Sequence, residues 1–470
     1  MPELPSLNRR NFLKKSAIGA GLVTLPTFAI GQAGKRSPNE RLRIAMIGVG
    51  GKGRGVTIES VRDEEVVALC DVDWVRVDAS RKGDRWDAND FDAALAELEK
   101  KNVPRYEDYR VMFEEMGDEI DAVVISTPDH MHFPIALSAL NLGIHVYCEK
   151  PLTHTVEEAR VLTETAARKG LTTQMGNQGH SMDGTRQVKE WVQAGLIGPI
   201  REVHSWTDRP AVYWPQGLSK PDHSEAIPVK PEGLRWDLWL GVAEDRPYDP
   251  AYAPFRWRAF LDFGCGALGD MACHIMDSAY WSMDLGFPTS VESASTTLTG
   301  YSYPVSSIVT YEFPARGSMP ALTYKWYDGD LRPPIPNFLK DNNPLTGDYH
   351  SNGSMFVGDD AIILTDTYSR RARIFPHEKF RELRSDLPSP SLRRIEGSHL
   401  AEFYSAIREK RPASSSFDYS GPFTEMVLLG TVAQQTGRRL EFDAGKQKFV
   451  NDPEANKLMT KDYPDGWILG

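Results

Sequence analysis

Arg43-Ile44-Ala45-Met46-Ile47-Gly48-Val49-Gly50-Gly51-Lys52-Gly53 is followed at 66–71 by Val-Val-Ala-Leu-Cys-Asp, and these stretches decide the fold. The apolar run 44–47 reads as a buried parallel strand, and 66–70 reads as a second one ending at Asp71. Between them Gly48, Gly50 and Gly53 stand at G-x-G-x-x-G spacing. The first glycine permits a tight turn, the second lets a pyrophosphate approach the backbone, and the third lets the next helix pack on the strand. The helix start offers free N–H groups to phosphates. Gly51 and Lys52, inside the same loop, count as cofactor contacts with it. Asp71 stands where a carboxylate accepts from both ribose hydroxyls of NAD and repels a 2′-phosphate, so NAD is favoured over NADP.

Outward from this stretch, 43–198 alternates strand and helix patterns, as in a doubly wound parallel sheet. Strands are expected at 44–47, 66–70, 122–126 and 145–147, with a charged helical excursion at 81–101. A further helix (156–168), strand (172–175) and helix (185–193) complete this half. From 199 to 470 the pattern changes to α+β, an open and mainly antiparallel sheet with strands near 200–206, 291–298, 307–312, 321–327 and 361–365. A helix at 269–283 precedes that sheet in large part, and one at about 423–436 returns towards the first half.

The first 33 residues read as a signal peptide, and 34–42 as a polar linker. Asn8-Arg9-Arg10-Asn11-Phe12-Leu13-Lys14 is a twin-arginine signature, followed by an apolar run over 17–30 and a small-x-small site at Gly31-Gln32-Ala33. This run is too short to span a bilayer comfortably, and no other segment approaches that length. The expectation is export to the periplasm, or another exterior compartment, by the twin-arginine machinery. That route carries folded proteins, which suits a tightly bound nucleotide. The 470 residues carry a net charge of −11, with 41% hydrophobic and 25% charged residues. Acidity without a basic stripe excludes nucleic acid as a partner. The four cysteines suit neither a disulfide framework nor a zinc ribbon, although Cys265 and Cys273 could pair in an exported chain.

Three more segments carry chemistry. Ser126-Thr127-Pro128-Asp129-His130-Met131-His132 and Glu149-Lys150-Pro151 follow predicted strands, where ligands of open α/β sheets bind. In the third, Asp270, His274 and Asp277 follow a glycine loop at i, i+4 and i+7, on one helical face. An acid one turn from an imidazole orients it, making His274 a candidate base for a hydroxyl and Lys150 the group that holds the hydroxyl oxygen. His130 and His132 have no third ligand at suitable spacing, so no metal is expected.

The glycine loop, T-P-x-x-x-H at Thr127 to His132, E-K-P at Glu149 to Pro151 and D-x-x-x-H at Asp270 to His274 together resemble the glucose–fructose oxidoreductase / inositol dehydrogenase (Gfo/Idh/MocA) family. The resemblance implies a Rossmann domain binding NAD(P) and a C-terminal α/β domain whose open sheet forms homo-oligomers. It places Lys150, Asp270 and His274 at catalytic positions, and Thr127, Pro128, His132 and Glu149 around the nicotinamide and its ribose. Its implied substrates are sugars, cyclitols and their derivatives, oxidised or reduced at one CH–OH carbon. Two other readings share the motifs: a redox-neutral NAD-dependent glycosidase, and a sugar-binding protein with a vestigial Rossmann domain. Asn177, Gln178 and His180 follow a strand near the expected cofactor. Trp206, Arg209, Tyr213, Arg256 and Trp257 are candidates for a saccharide pocket, or equally for a domain interface.

Overall fold

A computed structural model describes residues 40–339, 343–359 and 361–470. The signal-peptide expectation for 1–33, and most of the linker, lie outside the described residues. Six strands form the first sheet: β1 (Arg43–Ile47), β2 (Glu65–Cys70), β3 (Arg105–Tyr106), β4 (Ala122–Ile125), β5 (His145–Glu149) and β6 (Thr173–Gly176). Their order is β3-β2-β1-β4-β5-β6, and every pair is parallel. β4 is buried at all four positions, because helices cover both faces of such a sheet. The strand order reverses between β1 and β4, so a crevice opens at their carboxyl ends.

The second sheet has nine strands: β7 (Glu202–Thr207), β8 (Ser290–Ser295), β9 (Ser307–Phe313), β10 (Leu322–Tyr327), β11 (Asn352–Val357), β12 (Ile362–Thr365), β13 (Arg373–Phe375), β14 (Leu440–Asp443) and β15 (Lys448–Phe449). The order is β13-β12-β11-β7-β10-β9-β8-β14-β15. β7 and β10 are parallel and the remaining neighbours antiparallel. Along β9 buried and half-buried residues alternate, the signature of a strand with one face on the core. The class is therefore α/β: a Rossmann sheet joined to an α+β half with a large, mainly antiparallel sheet.

Two late helices tie the halves together. The helix Phe417–Thr436 lies on the second sheet at Gly430, where a Cβ would stand 2.0 Å from Tyr311 Oη. At its other end Gly421 abuts Thr163 of the helix Val156–Lys169, and Glu425 pairs with Arg160 at 2.6 Å. The helix His399–Glu409 places Leu400, Phe403 and Tyr404 among Ile44, Met46, Val124 and Tyr147 of the Rossmann core. The sequence pattern gave no sign of that return.

The helix expected over 269–283 is two helices, Gly266–Ile275 and Asp277–Ser282. The two meet at Met276, and Asp277 is buried against Asn177, His180 and Tyr419 instead of lining the cleft with Asp270 and His274. All four cysteines are free and buried.

Candidate active site

A cleft of about 950 Å³ runs along the carboxyl ends of the Rossmann strands. Its nucleotide end is built by the loop after β1. Gly48 has φ +81°, and a Cβ there would lie 2.7 Å from Ser126 O. At Gly53 a Cβ would come within 1.7 Å of Gly48 O, so only glycine lets the helix Gly53–Asp63 start here. Gly50 is different: its nearest neighbours would stand at 3.4 Å and beyond, leaving a shallow cradle beside Val77, Arg76 and Asp71. Asp71 Oδ2 accepts from Val49 N at 2.9 Å and Gly50 N at 3.0 Å, and Oδ1 accepts from Asp73 N at 3.0 Å. Burial pushes this carboxyl up, and the three N–H donors and Arg76 work against that rise. The cradle, and the buried unpartnered Ser126 Oγ, Thr127 Oγ1 and Glu149 Oε2 at the ends of β4 and β5, fit a dinucleotide. Lys52 reaches across to Glu149 Oε1 at 3.3 Å.

The other end of the cleft gathers Lys150, Asp129, Asp270, His274 and Arg258. Lys150 Nζ donates to Asp270 Oδ1 at 2.8 Å and to Asp270 O at 2.6 Å. Arg258 Nε donates to the same Oδ1 at 3.1 Å. Burial opposes charge on both partners, but the pairing wins. Asp270 is held well below the carboxylate range by Lys150 and Arg258, and Lys150 is held above its ordinary value by Asp270. Burial pushes Asp129 up to about 7, against the pull of Arg258 and Lys150. His274 is driven well below its usual pKa, by burial first and then by the Lys150 charge, so the ring is neutral. Its Nδ1 is buried with no partner, and Tyr368 packs edge-on at 4.9 Å between ring centres.

This corrects the expected Asp270–His274 pair. The carboxylate that was to orient the imidazole is occupied by Lys150 and Arg258.

Of the remaining sequence candidates, Gly48, Gly50, Gly51, Lys52, Asp71, Thr127, Pro128, Glu149, Gln178, Arg209 and Trp257 line the cleft. Gln178 donates to Glu149 Oε1 at 3.1 Å. Others stand behind it. His132 lies against Pro151 O at 2.8 Å and Thr127 O at 3.0 Å, and burial takes its pKa down to about 4, so the neutral ring donates to one of them. It supports the strand-end loop and does not touch the cleft. Asn177 and His180 are buried on Asp277, which also accepts from Tyr419. Trp206 is fully buried in the second sheet and donates to Tyr349 O, far from any saccharide role. Tyr213 is 43% exposed under the Arg209 guanidinium, and Arg256 is exposed outside the cleft. The 3₁₀ turn Arg256–Ala259 sends Arg258 inward instead, against Trp257 and Phe255. Arg258, Asp129 and Tyr368 went unrecognised in the sequence. Asp129 lies inside the quoted motif, whereas nothing local distinguishes Arg258 from Arg256.

His130 is also a core residue, on Phe263 O and Trp239 O. Among the described residues no group of three or more His, Cys, Asp or Glu side chains could hold a metal ion. Among the same residues no helix is long and apolar enough to cross a membrane.

A doubly wound sheet with this glycine loop, its Lys150 meeting Asp270 and Arg258 of the α+β half, defines a Rossmann-type nucleotide-binding protein. The chain belongs to the Gfo/Idh/MocA oxidoreductase family. That family's NAD-binding Rossmann model matches residues 42–177, and its C-terminal alpha/beta domain model matches 183–298 and 377–469. Among curated relatives, glycosyl hydrolase family 109 protein 1 of Shewanella sp. (strain ANA-3) is 28% identical over 218 residues, 42% of this chain and 44% of that protein. Levoglucosan dehydrogenase of Pseudarthrobacter phenanthrenivorans is 28% identical over 161 residues, 34% of this chain and 32% of that protein. The matches thus span less than half of the relatives' own length. The WlbA dehydrogenase of Bordetella pertussis, solved with NADH and UDP-GlcNAcA, shares the fold with TM-score 0.55 and 14% identity, over 86% of this chain and 99% of that one.

Proposed function

We propose that this protein is an exported, NAD-dependent oxidoreductase acting on a CH–OH group of a sugar, cyclitol or sugar derivative. The observation that carries the reading is the Lys150–Asp270–Arg258 cluster, set beside His274 in the same cleft as the glycine loop. NAD, when bound, supplies the hydride acceptor or donor. Gly48, Gly50 and the helix start at Gly53 hold its pyrophosphate, and Asp71 takes the ribose hydroxyls. Lys150 stays an ammonium and donates to the substrate oxygen, stabilising negative charge as the proton leaves. His274, kept neutral, offers that proton an acceptor, and Asp270 fixes the ammonium in place. Trp257 and the Arg209 side chain wall the saccharide end.

A second reading, redox-neutral cleavage of glycosides, is favoured by the family 109 relatives and by Asp129 inside the cleft, a carboxyl that burial pushes up to about 7. We further infer that NAD stays tightly bound, that export follows the twin-arginine signature at Asn8–Lys14, and that copies associate through the nine-stranded sheet.

The test is a spectrum and mass analysis of purified, undialysed protein before and after a panel of sugars and aryl glycosides. Bound NAD that becomes reduced and stays so until an acceptor sugar arrives is the expected result. Catalytic aglycone release with no net change in NAD would move the assignment to the glycosidase, and no affinity for NAD would refute both. Replacing Arg9 and Arg10 by lysine tests export, which should fail.

A further inference from the structure

A second cavity, of about 560 Å³, opens on the other side of the segment that carries Arg258. Leu261 and Asp262 line it, whereas Arg258 lines the cleft. Its volume lies within the range of small-molecule sites, roughly 300–1,000 Å³. Two buried polar atoms on its wall have no hydrogen-bond partner: Lys461 Nζ and His154 Nδ1. Glu158 Oε1, just behind His154, is unpartnered too, while its Oε2 accepts from His154 N and Thr155 N at 2.8 and 2.9 Å.

The charges on this wall are matched at Arg246 and Lys457 and unmatched at two lysines, of which one is buried. Arg246 is held by Asp262 at 2.5 Å, with Glu244 at 3.7 Å. Lys457 pairs with Glu454 at 2.9 Å, and Lys220 lies exposed at the rim. Lys461 alone combines a buried ammonium with no ion pair. Burial lowers its pKa, and Glu158 and Asp262 only partly restore it. A buried ammonium without a partner costs free energy that one bound negative charge would recover. Asp262 and Glu244 on the same wall disfavour a second charge, so a dianion such as phosphate fits poorly. On the rest of the lining the Thr431 and Thr460 hydroxyls and the Gln435 amide each donate to a backbone carbonyl and keep oxygen lone pairs that can accept from a polyol.

We propose that this cavity is a binding site, separate from the cleft, for a small polyhydroxy monocarboxylate whose carboxylate sits on Lys461. Binding should draw the Lys461 pKa upward and stiffen the loop that holds Arg258 against Gly264, where a Cβ would lie 2.6 Å from Arg258 Cα.

The experiment uses the full chain at fixed ionic strength, titrated with sodium D-gluconate, inorganic phosphate or sodium chloride, and read by calorimetry and thermal unfolding. Gluconate should bind saturably, with phosphate and chloride at least about tenfold weaker. Lys461→Met should weaken gluconate roughly tenfold to a hundredfold, the worth of a charge-assisted hydrogen bond, while Lys150→Met should leave it unchanged. Gluconate binding that survives Lys461→Met, is lost in Lys150→Met, or is matched by phosphate overturns the proposal. Should Lys461→Met fail to fold, a wild-type crystal soaked in gluconate decides. Density on Lys461 Nζ supports the site, and density in the cleft alone, or none, refutes it.

Discussion

Lys150 Nζ is fixed to Asp270 twice, by Oδ1 at 2.8 Å and by the backbone oxygen at 2.6 Å. An ammonium has three protons to donate, so two are spent on one residue and a single directed donor remains. A lysine held in this way presents that last N–H at a fixed place in the cleft, which a free side chain would not.

Lys150→Met should therefore lower kcat by about 10² to 10⁴, the range for losing one preorganised donor or a proton-transfer partner. NAD affinity should change little, because the glycine loop and Asp71 stand apart. Lys150→Arg should not restore the rate, since a planar guanidinium cannot reproduce the two contacts to Asp270. Steady-state kinetics and NAD titration calorimetry read the two effects. Full turnover in Lys150→Met would remove this residue from the mechanism.

Asp270→Asn leaves Lys150 and Arg258 side by side without the carboxylate that both contact. Removing one member of a buried ionic cluster costs about 3–5 kcal/mol. Urea unfolding should show a loss of that order, and Arg258→Gln added to Asp270→Asn should recover part of it. Were Asp270 instead the residue that orients His274, adding Arg258→Gln would give no recovery.

Two glycines of one loop should behave oppositely. Gly53→Ala drives a Cβ to 1.7 Å from Gly48 O and should prevent a folded Rossmann half. Gly50→Ala meets nothing closer than 3.4 Å, so the protein should fold with nearly unchanged stability. Its methyl would fill the cradle, and NAD should bind at least about tenfold more weakly, a penalty near 1.4 kcal/mol. Circular dichroism and NAD titration separate the outcomes, and an unchanged NAD affinity in Gly50→Ala would place the pyrophosphate elsewhere.

Asp71 spends both oxygens on loop and turn N–H groups while keeping lone pairs for a ribose, and Arg76 lies beside it. Asp71→Ser should weaken NAD and narrow its advantage over NADP, because the repelling charge goes and the Arg76 cation stays. The ratio of the two dissociation constants measures this. A ratio that does not move would mean Asp71 acts on the loop alone.

The Rossmann half was legible because a doubly buried parallel strand is a continuous apolar run, as in Ala122–Ile125, and because glycine spacing reports backbone approach directly. β11 was missed: Asn352, Gly353 and Ser354 carry no strand signal, and the strand exists because β7 and β12 flank it. The helix His399–Glu409 shows amphipathicity, but nothing local says that Phe403 and Tyr404 belong under a sheet formed some 350 residues earlier. At the site, Lys150, Asp270 and His274 were legible as a set, but not who pairs with whom. That depended on the turn Arg256–Ala259, which points Arg258 inward and Arg256 out. Nor was it legible that Asp277 leaves the cleft for Asn177 and His180, since no proline or glycine announces the division of the helix at Met276.

His399 joins the late helix to the Rossmann half, and its titration should be visible in stability. Nδ1 stands 2.6 Å from Ser181 Oγ and Nε2 2.7 Å from Met175 O. A neutral ring satisfies both, accepting from the hydroxyl and donating to the carbonyl. Burial takes its pKa down to about 3, with His180, Lys52 and Arg186 adding to the fall. The unfolded chain protonates near 6.5, so the contribution is complete above that pH and is lost as pH falls towards 3. The loss is about 1.4 kcal/mol per unit, or about 2 kcal/mol by pH 5. His399→Gln keeps a donor and an acceptor but cannot titrate. Urea unfolding at pH 7.5 and 5.0 should show the wild type losing about 2 kcal/mol more than the variant. Asp129 and Glu158, pushed up to about 7, titrate in both proteins and cancel in that difference. Equal losses in the two proteins would mean that His399 already carries its proton in the fold, and that Ser181 is turned to accept from it.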